Sequence, residues 1–169
     1  IDANIDDAVY EGVELAEGFS KSLDNREKEL NKMFPNTKVN FIKDDVKYYD
    51  FKNCSLVTSI FTLQFMSMKD RENIIKKIYN GLNVGGGFLF AEKLICTNAK
   101  LQEMMTFNYY DYKRKHFEAK DIMDKERTLR HMLKPNTWKE IKTMILNAGF
   151  QDVQCFWSNH LFVGALAIK

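Results

Sequence analysis

The sequence predicts an α/β fold with a mostly parallel sheet and an antiparallel C-terminal edge strand. Apolar segments of strand length alternate with amphipathic segments of helical length along most of the chain. Two apolar segments close the chain with only "NH" at positions 159–160 between them, as in a hairpin. At 169 residues the chain has the size of one domain with an apolar core. We therefore expect a single domain over residues 1–169.

Short segments rich in valine, isoleucine and aromatic residues predict the strands, because such side chains fit the half-buried surface of a sheet. Of these segments, "SLVTSIFTL" at 55–63 is predicted to be buried. The predicted strands are 8–15, 38–43, 55–63 and 87–95, followed by the closing pair "DVQCFWSN" and "LFVGALAIK".

Amphipathic segments between these strands predict helices. Pro35 lies just beyond the first helix, Asn136 is expected to cap the last one, and Gly149 is expected to end it. The polar stretch up to about residue 133 is predicted to be mostly helical and to form a cap over about 97–133. The other predicted helices are 19–34, 68–82 and 136–150.

Three consecutive glycines, Gly85, Gly86 and Gly87, follow the helix whose last apolar residue is Leu82. A phosphate-binding loop places its glycines between a strand and a helix, so that free N–H groups at the helix start face the anion. Here the order is reversed. We therefore expect the triplet to supply the positive φ of a helix C-cap and a tight turn into the next strand.

Charge and cysteine content exclude several classes of protein. The net charge of +2 is too small to indicate nucleic-acid or membrane binding by itself. The three cysteines have no CxxC spacing, and the three histidines are far apart, so we expect neither a disulfide framework nor a metal site. No stretch approaches the roughly 18 apolar residues of a membrane span. We expect a cytoplasmic protein with no membrane or direct nucleic-acid partner.

The order of elements after residue 78 resembles class I S-adenosylmethionine-dependent methyltransferases, in which a glycine turn precedes the fifth strand and an "AGF" element precedes the last two. Val84 stands where that class usually has proline. The resemblance is closer to one family, the carboxy-S-adenosylmethionine synthases (CmoA), and extends from about Val39 to Lys169. It is carried by "FTLQF" (61–65), "IYNGLNVGG" (78–86), "AEKL" (91–94), "AKLQE" (99–103), "DYKR" (111–114), "KERTL" (125–129) and "NAGFQ" (147–151).

The resemblance implies an enzyme that converts S-adenosylmethionine and prephenate to carboxy-S-adenosylmethionine and phenylpyruvate. A partner enzyme in such a pathway transfers the carboxymethyl group to a wobble uridine of tRNA. Members of the family tend to form homodimers. Such chemistry requires a cleft for the adenosine, a cation for the new carboxylate, and exclusion of water from a reactive sulfonium methyl group.

By the same resemblance, Glu14 with its neighbour Leu15 is the candidate for binding the ribose hydroxyls, because a carboxylate can accept one hydrogen bond at each oxygen. Asp2 in "IDAN" is the alternative for this role. Asp45 and Val46, which follow the next strand, are the candidates for binding adenine. Asp44, next to Asp45, competes for that position.

Arg127 in "DKERTLR" matches the arginine that the family uses to bind the product carboxyl group, with Arg130 three residues further on. A guanidinium offers two parallel donors that suit a carboxylate. Ile60 stands where the family has a cofactor-binding asparagine. An apolar side chain cannot make the hydrogen bonds of an amide, so either Thr62 compensates or cofactor binding is weaker. Gln64 could also reach the site.

The fold of the resembled class begins with a strand and a glycine-rich loop, and the sequence ahead of the predicted strand at 8–15 is too short to contain them. In the family this first strand lies centrally in the sheet, and a chain without it would expose two strand edges. We therefore expect the natural protein to carry this strand, its loop and a helix ahead of Ile1.

Overall fold

The computed structural model describes residues 8–169 and divides the chain into two compact units, one up to Asp50 and one from Phe51 to Lys169. Each unit is described by itself. The alternative ribose-binding candidate Asp2 lies outside the described residues. None of the helices in the described part has both the length and the apolar character needed to cross a membrane.

The first unit is a strand–helix–strand unit, as predicted. Strand β1 (Val9–Glu14) pairs in parallel with β2 (Lys38–Lys43), and helix α1 (Ser20–Met33) connects them after a short 3₁₀ turn. The Asn31 side chain joins α1 to β2, because its amide donates to the carbonyl of Val39 and its oxygen accepts from the N–H of Val39, each at 2.8 Å. This bidentate contact holds the helix against the strand.

The second unit contains a four-stranded mixed sheet in the order β3-β4-β6-β5. β3 pairs with β4 in parallel, whereas the β4–β6 and β6–β5 pairings are antiparallel. The closing hairpin is confirmed, but the prediction of an antiparallel edge strand is wrong: β6, the antiparallel strand, lies inside the sheet and β5 forms the edge. The strands are β3 (Cys54–Ile60), β4 (Leu82–Lys93), β5 (Asp152–Asn159) and β6 (Phe162–Ile168).

Two helices cover one face of this sheet and two form the predicted helical stretch. Helix α2 packs on β4, where Phe88 and Phe90 are fully buried, and helix α5 packs on α2 and β5. The residues that these helices bury recur at helical spacing, which explains why local periodicity predicted them. The helices are α2 (Met68–Gly81), α3 (Ala99–Lys113), α4 (Ala119–Leu129) and α5 (Trp138–Ala148).

Strand β3 was predicted to be buried, and this is wrong. Leu56 is 56% and Ile60 51% exposed, and the strand ends at Ile60 rather than at residue 63. Among the described strands, β3 pairs only with β4, so one of its edges has no strand beside it. A strand at the edge of a sheet buries less of each side chain than a central strand does.

The glycine triplet is not the C-cap of α2. That helix ends at Gly81, and Leu82 already has an extended conformation, so all three glycines lie within β4. Only Gly85 has a positive φ, 78°, and it bends β4 where the β3–β4 register shifts. The N–H of Gly85 donates to the carbonyl of Lys169 at 3.0 Å. The triplet therefore shapes the start of the strand instead of ending the helix.

The prediction that Asn136 caps α5 is wrong. Thr137 is the N-cap and forms a capping box with Glu140, while Asn136 is buried and its amide donates to Glu140 at 3.3 Å. The reason is that the capping box satisfies two backbone groups reciprocally, which favours Thr137. Gly149 ends the helix with a φ of 116°, as predicted.

Candidate functional site

Glu14 and Asp45 lie at the same end of the β1–β2 sheet. Glu14 is the last residue of β1 and stands opposite Lys43, the last residue of β2, two positions before Asp45. The carboxyl ends of parallel strands are the usual place for ligands in open α/β sheets. The structure thus brings together the two acidic residues that the sequence indicated for ribose and adenine.

The two carboxylates have different surroundings. Glu14 accepts a hydrogen bond from the N–H of Ala16 at 2.7 Å, and the neighbouring Leu15 is 66% exposed. Asp45 accepts from the N–H of Lys47 at 3.0 Å and forms an ion pair with the Lys47 ammonium at 3.0 Å. The backbone hydrogen bond from Lys47, opposed by partial burial, lowers the pKa of Asp45. Asp45 is therefore an ionised acceptor.

Val46 and Asp44 flank that acceptor. The Asp44 side chain accepts from the N–H of Asp45 at 2.7 Å and is exposed, so it supports the turn after β2. Val46 lies within this turn and is half-buried. Between the two competing aspartates, Asp45 is the less exposed.

Ile60 ends β3 in the second unit, and the chain turns sharply after it. Phe61 has a φ of 55°, a left-handed conformation that costs free energy in any residue with a side chain. The Phe61 N–H donates to the carbonyl of Ala91 at 2.8 Å. The Thr62 hydroxyl donates to the Ile60 carbonyl at 3.2 Å, so it is already engaged locally. Strain of this kind is concentrated at binding sites.

Arg127 lies in the last turn of α4, and its guanidinium is 77% exposed. Its ion-pair partner is Asp124 on the same helix, at 3.3 Å. In the part of the chain that the structure describes, no hydrogen bond or ion pair joins Arg127 to another element. The guanidinium of Arg127 is therefore accessible to solvent, and its ion-pair partner lies on its own helix.

Next to the strained turn, the second unit buries two charged residues that sequence reasoning missed. Arg71 of α2 is 2% and Glu92 of β4 is 3% exposed. Glu92 accepts from the N–H of Leu63 at 3.1 Å, and Arg71 donates from Nε to the Leu63 carbonyl at 3.0 Å. The adjacent Gln64 accepts from the N–H of Lys93 at 2.7 Å, which makes it structural. Together these contacts fix the 3₁₀ turn Leu63–Phe65 against β4 and α2.

Burial controls the ionisation of Glu92. Burial raises the pKa of its carboxyl group to about 7, although nearby Arg71 and the backbone N–H groups of Leu63 and Gln64 act in the opposite direction. A small cavity of about 10 Å³ adjoins both charged side chains. It is no larger than one water molecule needs, so it is not a cofactor cleft.

Patterns in the sequence could have revealed both residues. Glu92 continues the alternation of the buried Phe88 and Phe90, and Arg71 precedes Ile74 and Ile75 at helical spacing on the buried stripe of α2. A charge at a position that the periodicity places inside is the signal. Elsewhere in residues 8–169, no three histidine, cysteine or acidic side chains come together as a metal ion would need.

Comparison with known proteins places this geometry in context. No protein-family model matches the chain. It is 38% identical over 132 residues to the carboxy-S-adenosyl-L-methionine synthase of Staphylococcus epidermidis, a match that covers 78% of the chain and 58% of that relative. The enzyme of the same name from Nautilia profundicola is 33% identical over 94% of the chain and 66% of the relative. The one from Campylobacter concisus is 33% identical, with 96% of the chain and 68% of the relative covered.

Solved structures agree in fold. The pyocyanin biosynthetic protein PhzM superposes with a TM-score of 0.67 at 10% identity, covering 100% of the chain and 52% of PhzM. PigF, solved with SAH, gives a TM-score of 0.59 at 13% identity over 95% of the chain and 43% of PigF. At such identities the likeness shows the α/β methyltransferase fold alone. The chain spans 58% and 66% of the lengths of the first two sequence relatives.

Proposed function

The chain belongs to the carboxy-S-adenosyl-L-methionine synthase family, and from this membership we propose that the intact protein converts S-adenosylmethionine and prephenate to carboxy-S-adenosylmethionine and phenylpyruvate. The observation that carries the proposal is identity of 33–38% to three such synthases, over 78–96% of the chain. The product would serve modification of a tRNA wobble uridine by a second enzyme. We further propose a cytoplasmic homodimer that does not itself bind RNA.

In this proposal, Glu14 and Asp45 bind the nucleoside of the cofactor. Their position at one end of the β1–β2 sheet supports this, as does the lowered pKa of Asp45, because an ionised carboxylate accepts from the adenine amino group. Glu14 would accept the ribose hydroxyls beside Leu15, and the backbone of Val46 would meet the adenine ring. Carboxy-S-adenosylmethionine, as the product, would occupy the same positions.

The activity is tested by incubating the intact protein with S-adenosylmethionine and prephenate and measuring the mass of the nucleoside product. We expect a nucleoside heavier than S-adenosylmethionine by the mass of CO2, because a carboxyl group replaces one methyl hydrogen, and phenylpyruvate in equal amount, with water as the remaining product of prephenate. Transfer of an unmodified methyl group to another acceptor, with no carboxylated nucleoside, would instead support a related class I methyltransferase of a small molecule or RNA. Ile60, which replaces the family's asparagine, favours that second candidate. Absence of S-adenosylmethionine binding in the intact protein would instead support a non-catalytic relative of these enzymes.

Substitution of Arg127 by lysine is expected to reduce kcat/KM for carboxylated product by about tenfold, because lysine keeps the charge but loses one of two parallel hydrogen bonds to the carboxylate. Arg114→Lys is the matched control, since Arg114 is likewise exposed and paired with an acidic residue three positions earlier. Steady-state kinetics of the two variants are compared with wild type. Equal kinetics for Arg127→Lys and wild type would remove Arg127 from the site.

Substitution of Ile60 by asparagine is expected to tighten S-adenosylmethionine binding by about three- to tenfold, because it restores one amide hydrogen bond. Ile60 is 51% exposed, so the change leaves the core intact. Titration calorimetry provides the measurement, and Leu56→Asn on the same strand, 56% exposed, is the control. Unchanged affinity in Ile60→Asn would show that this position does not contact the cofactor.

A further inference from the structure

Lys93, the last residue of β4, carries an ammonium group for which the described residues provide no counterion. Its side chain is half-buried, 5.9 Å from the ring centre of Tyr109 and 6.0 Å from that of Phe162. Within residues 8–169 the ammonium has neither a hydrogen-bond acceptor nor an ion-pair partner. A cation removed from water is costly unless an anion or acceptors replace the water. Binding of an anion or a hydrogen-bond acceptor at the Lys93 ammonium would therefore be favourable.

The carboxylate that acts electrostatically on Lys93 is already engaged. Glu126 of α4 forms an ion pair with Lys113 of α3 at 3.0 Å, and the two side chains are only 20% and 12% exposed. Lys113 also lies 4.3 Å from the Tyr109 ring centre. Glu126 thus forms its ion pair with Lys113 and not with Lys93, so the charge of Lys93 is left over. Burial lowers the pKa of Lys93, Lys113 lowers it further, and Glu126 acts against both.

A group of aromatic rings connects the surroundings of Lys93 with the end of β3. Phe162 packs edge-on against Phe61 at 5.6 Å and against Tyr109 at 5.3 Å. Phe61 follows Ile60, the position where the family has its cofactor-binding asparagine. Lys93 and Ile60 therefore end neighbouring parallel strands and border the same group of rings. The carboxyl ends of parallel strands are where α/β sheets bind their ligands.

We propose that Lys93 is a substrate-binding residue that holds a carboxylate of the anionic second substrate, which distinguishes this site from one for a neutral methyl acceptor. The inference rests on the proposed function and deepens it. The rings of Tyr109 and Phe162 lie on one side of the ammonium, and an anion can bind it on the other. Lys113 does not compete for this role, because Glu126 already neutralises it.

The test is direct binding of prephenate to the intact protein by titration calorimetry, for wild type, Lys93→Met and Lys93→Arg. Loss of one charge-assisted contact should weaken binding roughly tenfold or more in Lys93→Met. Lys93→Arg should restore most of it, because the charge returns. Lys100→Met is the control, since Lys100 is an exposed lysine on α3. Binding in wild type should weaken as pH rises through the lowered pKa of Lys93, and this decline should be absent in Lys93→Met.

Further measurements separate a binding role from a structural one and from the proposed function. Removing an unpaired half-buried charge should not lower the thermal midpoint, so Lys93→Met is expected to be as stable as wild type. Wild-type protein that binds prephenate through Lys93 but makes no carboxylated nucleoside would overturn the proposed function and support this inference. Equal prephenate affinity in Lys93→Met and wild type would overturn the inference, as would wild-type protein that does not bind prephenate.

Discussion

Replacement of Arg71 by methionine is expected to lower the free energy of unfolding by about 3–5 kcal/mol, which is most of the stability of many small domains. The guanidinium is buried and donates to three backbone carbonyls, at 3.0 Å to Leu63, 3.2 Å to Met66 and 2.9 Å to Lys134. Methionine fills similar space but donates nothing. Three backbone carbonyls, that of buried Leu63 among them, would then lose the guanidinium as a donor, and Glu92 would lose its nearby positive charge.

Urea unfolding at neutral pH measures this loss. Arg114→Met is the control, because Arg114 is 67% exposed and its 3.9 Å pair with Asp111 is worth at most about 1 kcal/mol. The Leu63–Phe65 turn should also become mobile in Arg71→Met, with faster amide exchange there than in wild type. A loss below about 1 kcal/mol in Arg71→Met would mean that the carbonyls find other donors.

Replacement of Glu92 by glutamine is expected to make the protein more stable than wild type at alkaline pH. The pKa of Glu92 rises from 4.5 in the unfolded chain to about 7 in the fold, so the folded state binds the proton more tightly. Wild-type stability from this group is complete below the lower value and falls as pH rises through the interval, by about 3 kcal/mol in total. Glutamine keeps an acceptor for the Leu63 N–H and does not ionise.

The measurement is the free energy of unfolding of both proteins from about pH 3 to about pH 8. The two should be similar at the acid end and differ most at the alkaline end. Glu140→Gln is a control of opposite sign: hydrogen bonds from Thr137 and Asn136 lower the pKa of Glu140, so this variant should lose stability at neutral pH and the difference should fade in acid. Parallel profiles for Glu92→Gln and wild type would show that Glu92 ionises freely in the fold.

Together, Arg71 and Glu92 define what holds the turn after Ile60. Glu92 binds the backbone N–H of Leu63 and Arg71 binds its carbonyl, so one residue of the turn is held from β4 and from α2. The turn adjoins Phe61, whose positive φ requires support from its surroundings. Ionisation of Glu92 near neutral pH would therefore act on the turn that follows Ile60.

The order and type of the elements could be predicted from the sequence, because helical and strand periodicities are local properties. Strand β2 and the ends of α2 and α5 were predicted to within about two residues, and the closing hairpin was confirmed. Family membership also came from the sequence alone. The roles of Glu14, Leu15, Asp45, Val46, Ile60 and Arg127 stay predictions, since no ligand contact bears on them.

The succession of strands and helices, and the family to which the chain belongs, therefore follow from the amino-acid sequence. The tertiary structure alone decided the exposure of β3, the place of the glycine triplet within β4, and the position of β6 inside the sheet. It also decided that Arg71 and Glu92 hold the same turn, and that Lys93 lies near aromatic rings with no counterion among residues 8–169. The physical reason is that burial and electrostatic environment depend on contacts between residues distant in sequence, which no local pattern encodes.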